Sequence, residues 1–273
     1  HMPARDIEQI LEQVEGEPWV FQEVIDQGGE PIRASEYTDN GAVTEFNYSL
    51  AIGEAFSRGS LASLHELVGT GQWLASGDAV VFVDNHDNQR GHGGGGHVIT
   101  FEDGRLYDLA NVFMLAWPYG YPKVMSSYAF DGDTDAGPPD VNVHGDAKPA
   151  CFNNAWQCEH RRPYIAGAVD FRRNTSAHAD VTNWWDNGSD QIAFGRGSSG
   201  YVVINASKQR LNKTLLTSLP EGRYCNVLTG GLDTKKPQCT GGEIVIDDAG
   251  QLKLSLPAMQ AVAIHHNARL TSD

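Results

Sequence analysis

Residues 79–96, AVVFVDNHDNQRGHGGGG, run an apolar segment directly into carboxylates, amides, histidines and an arginine, and then into glycine. A second stretch, WVFQEVIDQGGE at 19–30, ends a strand-like run in Glu23 and carries Asp26 and Glu30 around a Gly28-Gly29 turn. A single acid at a strand end is most often a helix cap or a surface charge. Two such ends, each with an amide or imidazole beside the acid and glycine after it, suit a cleft in which paired carboxylates work together. Glycoside hydrolysis needs that pair: one acid protonates the leaving oxygen and another carboxylate attacks or stabilises the oxocarbenium-like centre. A metal site built from Asp84, His86, Asp87 and His92 is the rival. It is weaker, because successive strand residues point to opposite faces and cannot all converge on one ion.

The elements that position these residues can be read from periodicity. Asp6 to Val14 carries apolar residues at helical spacing, and Trp19–Glu23, Val43–Phe46, Ala79–Val83 and Lys123–Ser127 are strand-like. Helical patterns surround Leu61–Val68, Leu109–Ala116 and Pro163–Phe171. This alternation predicts βα units on a parallel sheet, where reactive groups gather at the C-terminal ends of the strands. From about Val181 helical periodicity stops. Short strands at Gln191–Phe194, Tyr201–Asn205, Tyr224–Leu228, Glu243–Ile246, Leu252–Leu256 and Ala261–His265 predict an antiparallel sandwich, with the boundary between Asn174 and Asp180.

With 35 acidic and 20 basic residues in 273, the net charge of −15 would repel a polyanion, so nucleic acid is a poor partner. The acidic residues are scattered, as on a hydrated surface. No run of about 18 apolar residues occurs, and no membrane-spanning helix is expected. The cysteines fall into two local pairs, Cys151 with Cys158 and Cys225 with Cys239, which predicts two short-loop disulfides and an oxidising compartment.

Four segments together carry a family resemblance: VFQEVIDQGGE (20–30), FVDNHDNQRGHG (82–93), PKVMSSY (122–128) and CEHRRPYIAGAVDFR (158–172). They resemble the animal-type, chloride-dependent α-amylases of glycoside hydrolase family 13, including their bacterial members. The resemblance implies the second half of a (β/α)8 barrel, strands five to eight, over residues 1–178. It implies a C-terminal antiparallel Greek-key β-sandwich over residues 179–273. The implied activity is retaining endo-hydrolysis of α-1,4-glucosidic bonds in starch by a secreted enzyme that is a monomer once complete.

By the same likeness Glu23 is the general acid/base and Asp87 the transition-state stabiliser, although the residues alone would cast Asp87 as the nucleophile. His86 and His92 would contact the sugar, and Glu30 and Ile25 would line the leaving-group side. The glycine run Gly91–Gly96 resembles a mobile loop at the cleft. The family's nucleophile lies on the preceding barrel strand in a motif that ends in His, commonly followed by Met. The opening His1-Met2 resembles the end of that motif, so the nucleophile is expected four positions upstream, in an N-terminal half that must be supplied. Calcium is then expected to keep only the His1 backbone carbonyl from this chain. Chloride is expected at Asn85 and Lys123, where many relatives carry arginine. A lysine offers a point charge in place of a planar fork, which predicts weaker anion binding. An anion beside Glu23 would disfavour its ionised form and keep a proton donor available near neutral pH.

Other residues are assigned plainer roles. Trp184-Trp185 is expected in core or interdomain packing, the Asp131–Asp135 run as a solvated loop, and Glu45 and Asp84 as structural acids. The alternative from another class is a catalytically silent fragment or carbohydrate-binding half-chain.

Overall fold

The computed structural model describes residues 2–68, 71, 73–141, 151, 155–233 and 235–270. Helix α1 (Ala4–Leu11) leads to β1 (Phe21–Gln22), and β2 (Ala42–Thr44) runs into α2 (Phe46–Arg58) and the short α3 (Leu64–Leu67). Strand β3 (Ala79–Val81), helix α4 (Arg105–Ala116), β4 (Tyr121–Pro122) and α5 (Pro163–Thr175) follow. The four strands pair in parallel in the order β1-β2-β3-β4, with Phe21 opposite Ala42, Val43 opposite Ala79 and Val80 opposite Tyr121. Ala79, Val80 and Val81 are all buried, as a central strand covered on both faces requires.

This sheet is strongly curled. In a flat four-stranded sheet the outer strands would lie about 14 Å apart. Yet Trp19, just before β1, meets Tyr121 of β4 with ring centroids 4.6 Å apart, and Lys123 Nζ lies 4.1 Å from the Phe21 ring centre. The two edge strands therefore face each other across the concave side. Trp19, Phe21 and Tyr121 remain 55%, 41% and 56% exposed there.

Beyond α5 the chain forms two antiparallel sheets. One has the order β12-β7-β6-β5, from Val181–Asp186 (β5), Gln191–Arg196 (β6), Gly200–Asn205 (β7) and Gln260–His265 (β12). The other has the order β8-β11-β10-β9, from Leu211–Leu216 (β8), Gly222–Cys225 (β9), Glu243–Ile246 (β10) and Gln251–Leu256 (β11). The expected fold class, α/β units followed by an antiparallel sandwich, is thus the observed one, and both expected disulfides are formed.

The junction is a continuous core. Phe113 and Phe171 from the helices share one cluster with Ile192, Phe194, Val202 and Ala263 of the sandwich. Trp184 packs there against Trp117 and stacks on Phe194 and on His65. Arg196, 3% exposed, spans the junction by donating to the carbonyls of Ala116, Thr175 and His178. Burial lowers its pKa to about 10, so it stays charged and its donors stay filled.

Candidate active site

The end of β2 positions the first acid. The Thr44 hydroxyl accepts from Val24 N at 2.9 Å, fixing the backbone next to Glu23. Glu45, the following residue, caps α2 by accepting from Asn47 N and also accepts from Leu74 N, which is a structural role. Glu23 itself is exposed at the mouth of a pocket of about 250 Å³ lined by Phe21, Phe82, Asp84, Asn85, His86 and Lys123 among others.

Asn85 joins the two acid-bearing segments. Its Nδ2 donates to Glu23 Oε1 at 3.3 Å, while its Oδ1 accepts from Asp87 N at 3.1 Å and Asn88 N at 2.7 Å. Asn88 returns the contact by accepting from Asn85 N, and its amide donates to Ser49 Oγ, which donates to Val83 O. Buried polar groups satisfied in this reciprocal way hold one geometry, because each alternative leaves a donor or acceptor unpaired. His86 Nε2 lies 3.6 Å from Asp87 Oδ1 and faces solvent. Ile25 Cδ1 and the Asp87 side chain flank Gly93, within 3.4 and 3.7 Å of where a Cβ would sit.

Two expected site residues, Glu30 and His92, do not line this pocket. Glu30 turns back on its own loop, accepting from Gln27 N at 2.8 Å and Gly29 N at 3.1 Å, and these bonds hold its carboxyl below the usual range. His92 lies 4.0 Å from Asp135 Oδ1, beyond the pocket. His1, and with it the expected calcium contact, lies outside the described residues. Among the described residues no three His, Cys, Asp or Glu side chains are grouped to hold a metal ion.

The chloride pair has a suitable donor set. Asn85 and Lys123 line the same pocket as Glu23, and an ammonium with an amide N–H in a small, largely apolar hollow suits a monovalent anion. Lys123 rests on Phe21 by a cation–π contact.

Asp84, at the back of this pocket, is 2% exposed. Its Oδ1 accepts from Tyr107 Oη at 3.0 Å, and its Oδ2 is buried without a partner. Burial is the main cause that pushes its pKa up to about 8, against the Tyr107 hydrogen bond and with added repulsion from Glu159. The folded protein therefore keeps a proton that the unfolded chain releases at the ordinary carboxylate value. Stability from this group is full below that value and falls as pH rises towards 8, by up to about 1.4 kcal/mol per unit. Asp84→Asn copies the neutral acid and should flatten that fall; urea unfolding between about pH 5 and pH 8 reads it.

The glycine run is ordered against α2. Added Cβ atoms would strike Phe46 at Gly94 (2.7 Å) and Leu50 at Gly96 (2.1 Å), and one at Gly53 would strike His97 O (1.6 Å). Gln27 Nε2 donates to Gly94 O, tying the loop to the Glu23 segment. Glycine here serves close approach and positive φ, which runs from +46° to +80° at Gly91 and Gly93–Gly96.

The two acids follow β1 and β3, with β2 between them, and are linked through the Asn85 amide, while Glu23, Asn85, His86 and Lys123 open on a shared pocket. Comparison with known proteins gives the family context. Residues 182–267 match the alpha amylase C-terminal all-beta domain. The chain resembles alpha-amylases. It is 45% identical over 264 residues to the alpha-amylase of Pecten maximus, covering 92% of this chain and 51% of that one. It is 42% identical over 301 aligned residues to human alpha-amylase 1B, covering 99% of this chain and 58% of that one. The structure of wild-type alpha-amylase I from Eisenia fetida superposes with a TM-score of 0.84 at 37% identity, over 97% of this chain and 59% of that one. A point variant of the same enzyme, in a maltohexaose complex, gives 0.83. The chain therefore spans between half and three fifths of the length of the alpha-amylases it matches.

Of the residues singled out in the sequence, Glu23, Asn85, His86 and Lys123 line one pocket, and Asp87 is tied to it through its N–H, which donates to Asn85 Oδ1. Sequence reasoning did not assign Thr44, Asn88 or Ser49, whose roles depend on partners 20 or more residues away.

Proposed function

We propose that this chain is the C-terminal half of a secreted, retaining endo-α-1,4-glucan hydrolase acting on starch. In this reading residues 1–178 supply barrel strands five to eight and residues 179–273 the sandwich. Glu23 protonates the glycosidic oxygen as the bond to the leaving sugar breaks. An aspartate from the N-terminal half attacks the anomeric carbon, and Asp87 stabilises the oxocarbenium-like transition state. Glu23 then takes a proton from water as the covalent intermediate is hydrolysed. His86 and Ile25 contact the glucan beside Asp87, and His92 and Glu30, which lie outside the pocket, would contact it farther along the cleft. Asn85 and Lys123 would hold a chloride, whose negative charge would favour the protonated form of Glu23. Calcium would be held mainly by the N-terminal half, with the His1 carbonyl as this chain's contribution. Two disulfides accord with secretion.

The observation that carries this reading is the Asn85 amide, hydrogen-bonded at once to Glu23 and to the backbone of Asp87. The open edges of β1 and β4 and the exposed Trp19, Phe21 and Tyr121 support the view that the chain alone is inactive and needs the other half. The test is to combine the chain with an N-terminal half of a related alpha-amylase and assay starch cleavage. Activity only in the mixture supports the proposal, and a mixture that folds together yet cleaves nothing supports a silent, carbohydrate-binding half-chain. In the active mixture, chloride should raise the rate and Lys123→Gln should blunt the response; a rate indifferent to chloride would remove the anion site from the mechanism.

A further inference from the structure

The turn that presents Asp87 continues as one 3-10 turn, Asn88–Arg90, and Arg90 does not point into the pocket. Its guanidinium carbon lies 4.5 Å from the Tyr128 ring centre and 4.9 Å from that of Phe130. The same group donates through Nη1 to the carbonyls of Thr134 and Ala136, at 3.2 and 3.1 Å. Tyr128 Oη donates to Ala136 O as well, at 2.9 Å, closing the segment on itself. Arg90 Nε is buried with no hydrogen-bond partner, so the cation is held by the two rings and the two carbonyls. A single side chain thus fastens residues 128–136 to the Asp87 turn. The result is visible one step further on, where Asp135 of the fastened segment comes 4.0 Å from His92 of the glycine-rich loop. The next residue back is also anchored, since Ser127 Oγ donates to Gln89 Oε1 and Ser127 N to the fully buried Glu159.

We infer that Arg90 is a positioning residue that holds segment 128–136 as a wall of the glucan cleft, setting Asp135 against His92. This rests on the glucan-hydrolase reading above for the cleft's occupant, and on the contacts of Arg90 alone for the wall. Lysine cannot replace it. An ammonium has no flat face to stack on both rings, and its tetrahedral donors do not match two carbonyls in the plane of a guanidinium.

Two measurements test the inference. In the 273-residue chain, Arg90→Lys and Arg90→Met should speed amide hydrogen exchange in peptides covering 128–136 by about tenfold, with peptides from β6 and β7 unchanged. Phe130→Leu, which leaves the Asp87 turn untouched, should act in the same direction by a smaller factor. In the active mixture with an N-terminal half, Arg90→Lys and Asp135→Asn should each raise KM for maltohexaose about fivefold with kcat nearly kept, and the double variant should be no worse than the poorer single one. Unchanged exchange at 128–136, or exchange raised equally across the chain, would overturn the clamp. A fall in kcat with KM unchanged would overturn the positioning role. If the unsubstituted mixture cleaves no starch, the function reading fails, and the exchange experiment still decides whether Arg90 holds the wall.

Discussion

Glu23→Gln in the active mixture is expected to lower starch hydrolysis roughly a thousandfold, the middle of the range for removing a general acid/base. The glutamine amide can still accept from Asn85 Nδ2 through its Oε1, so the loop geometry set by Asn85 and Thr44 is retained. What is lost is the proton. A poor leaving group such as a sugar alkoxide needs it in the first step, and the attacking water needs a base in the second. A glycosyl fluoride departs without protonation, so its first step should lose far less than that of starch. The variant's pH profile should also lose the limb that Glu23 contributes, while urea unfolding of the chain stays close to that of the parent. A Glu23→Gln mixture that cleaves starch at the parental rate would remove Glu23 from the chemistry and with it the proposed function.

Much of this site was legible because strand ends announce themselves. Ala79–Val83 is apolar at every position, and the polarity changes at Asp84, so the residues that follow had to lie at an edge. The elements that failed to show are those in which tertiary contacts override the local pattern. Val43–Phe46 reads as one strand, but the ladder stops at Thr44, Glu45 caps, and Phe46 opens α2. That helix was hidden by Asn47, Tyr48, Ser49 and Gly53, none a strong helix former. The strand expected at Lys123–Ser127 lies earlier, at Tyr121–Pro122, because Ser127 N is taken by Glu159 in place of a neighbouring strand. In the sandwich, β5 is hard to read because its alternation breaks at a register shift between Thr182 and Trp185, with Asn183 at φ +49°. Strand β8 is equally hard to read because its middle residues Asn212, Lys213 and Thr214 are all exposed. Strand β9 ends at Cys225, three residues sooner than its apolar run suggests.

The glycine-rich loop shows the same limit most clearly, and it yields the second large effect. Its composition reads as freedom to move, whereas its contacts follow one stripe of α2: Phe46, Leu50 and Gly53, spaced four and three residues apart, lie on one face of the helix. Gly94 covers the first, Gly96 the second, and the backbone of His97 the third. At an exposed helix position, glycine to alanine would stabilise by about 1 kcal/mol. At Gly53 the sign should reverse. The new methyl would sit 1.6 Å from His97 O and 2.8 Å from its carbonyl carbon, and both are backbone atoms that cannot rotate away. Gly53→Ala is therefore expected to cost about 3 kcal/mol in unfolding free energy, the upper part of the overpacking range. Gly77→Ala, with nothing within 4 Å and no positive φ, serves as the control and should change little. An outlet for the strain short of unfolding is for residues 93–98 to lift off the helix. Since Gln27 holds Gly94 O and Gly93 lies between Ile25 and Asp87, that movement would open the cleft wall on the Glu23 side. Faster hydrogen exchange confined to peptides over 91–98, together with the lost stability, is the expected signature; a Gly53→Ala chain as stable as its parent would mean that the loop is not seated on α2.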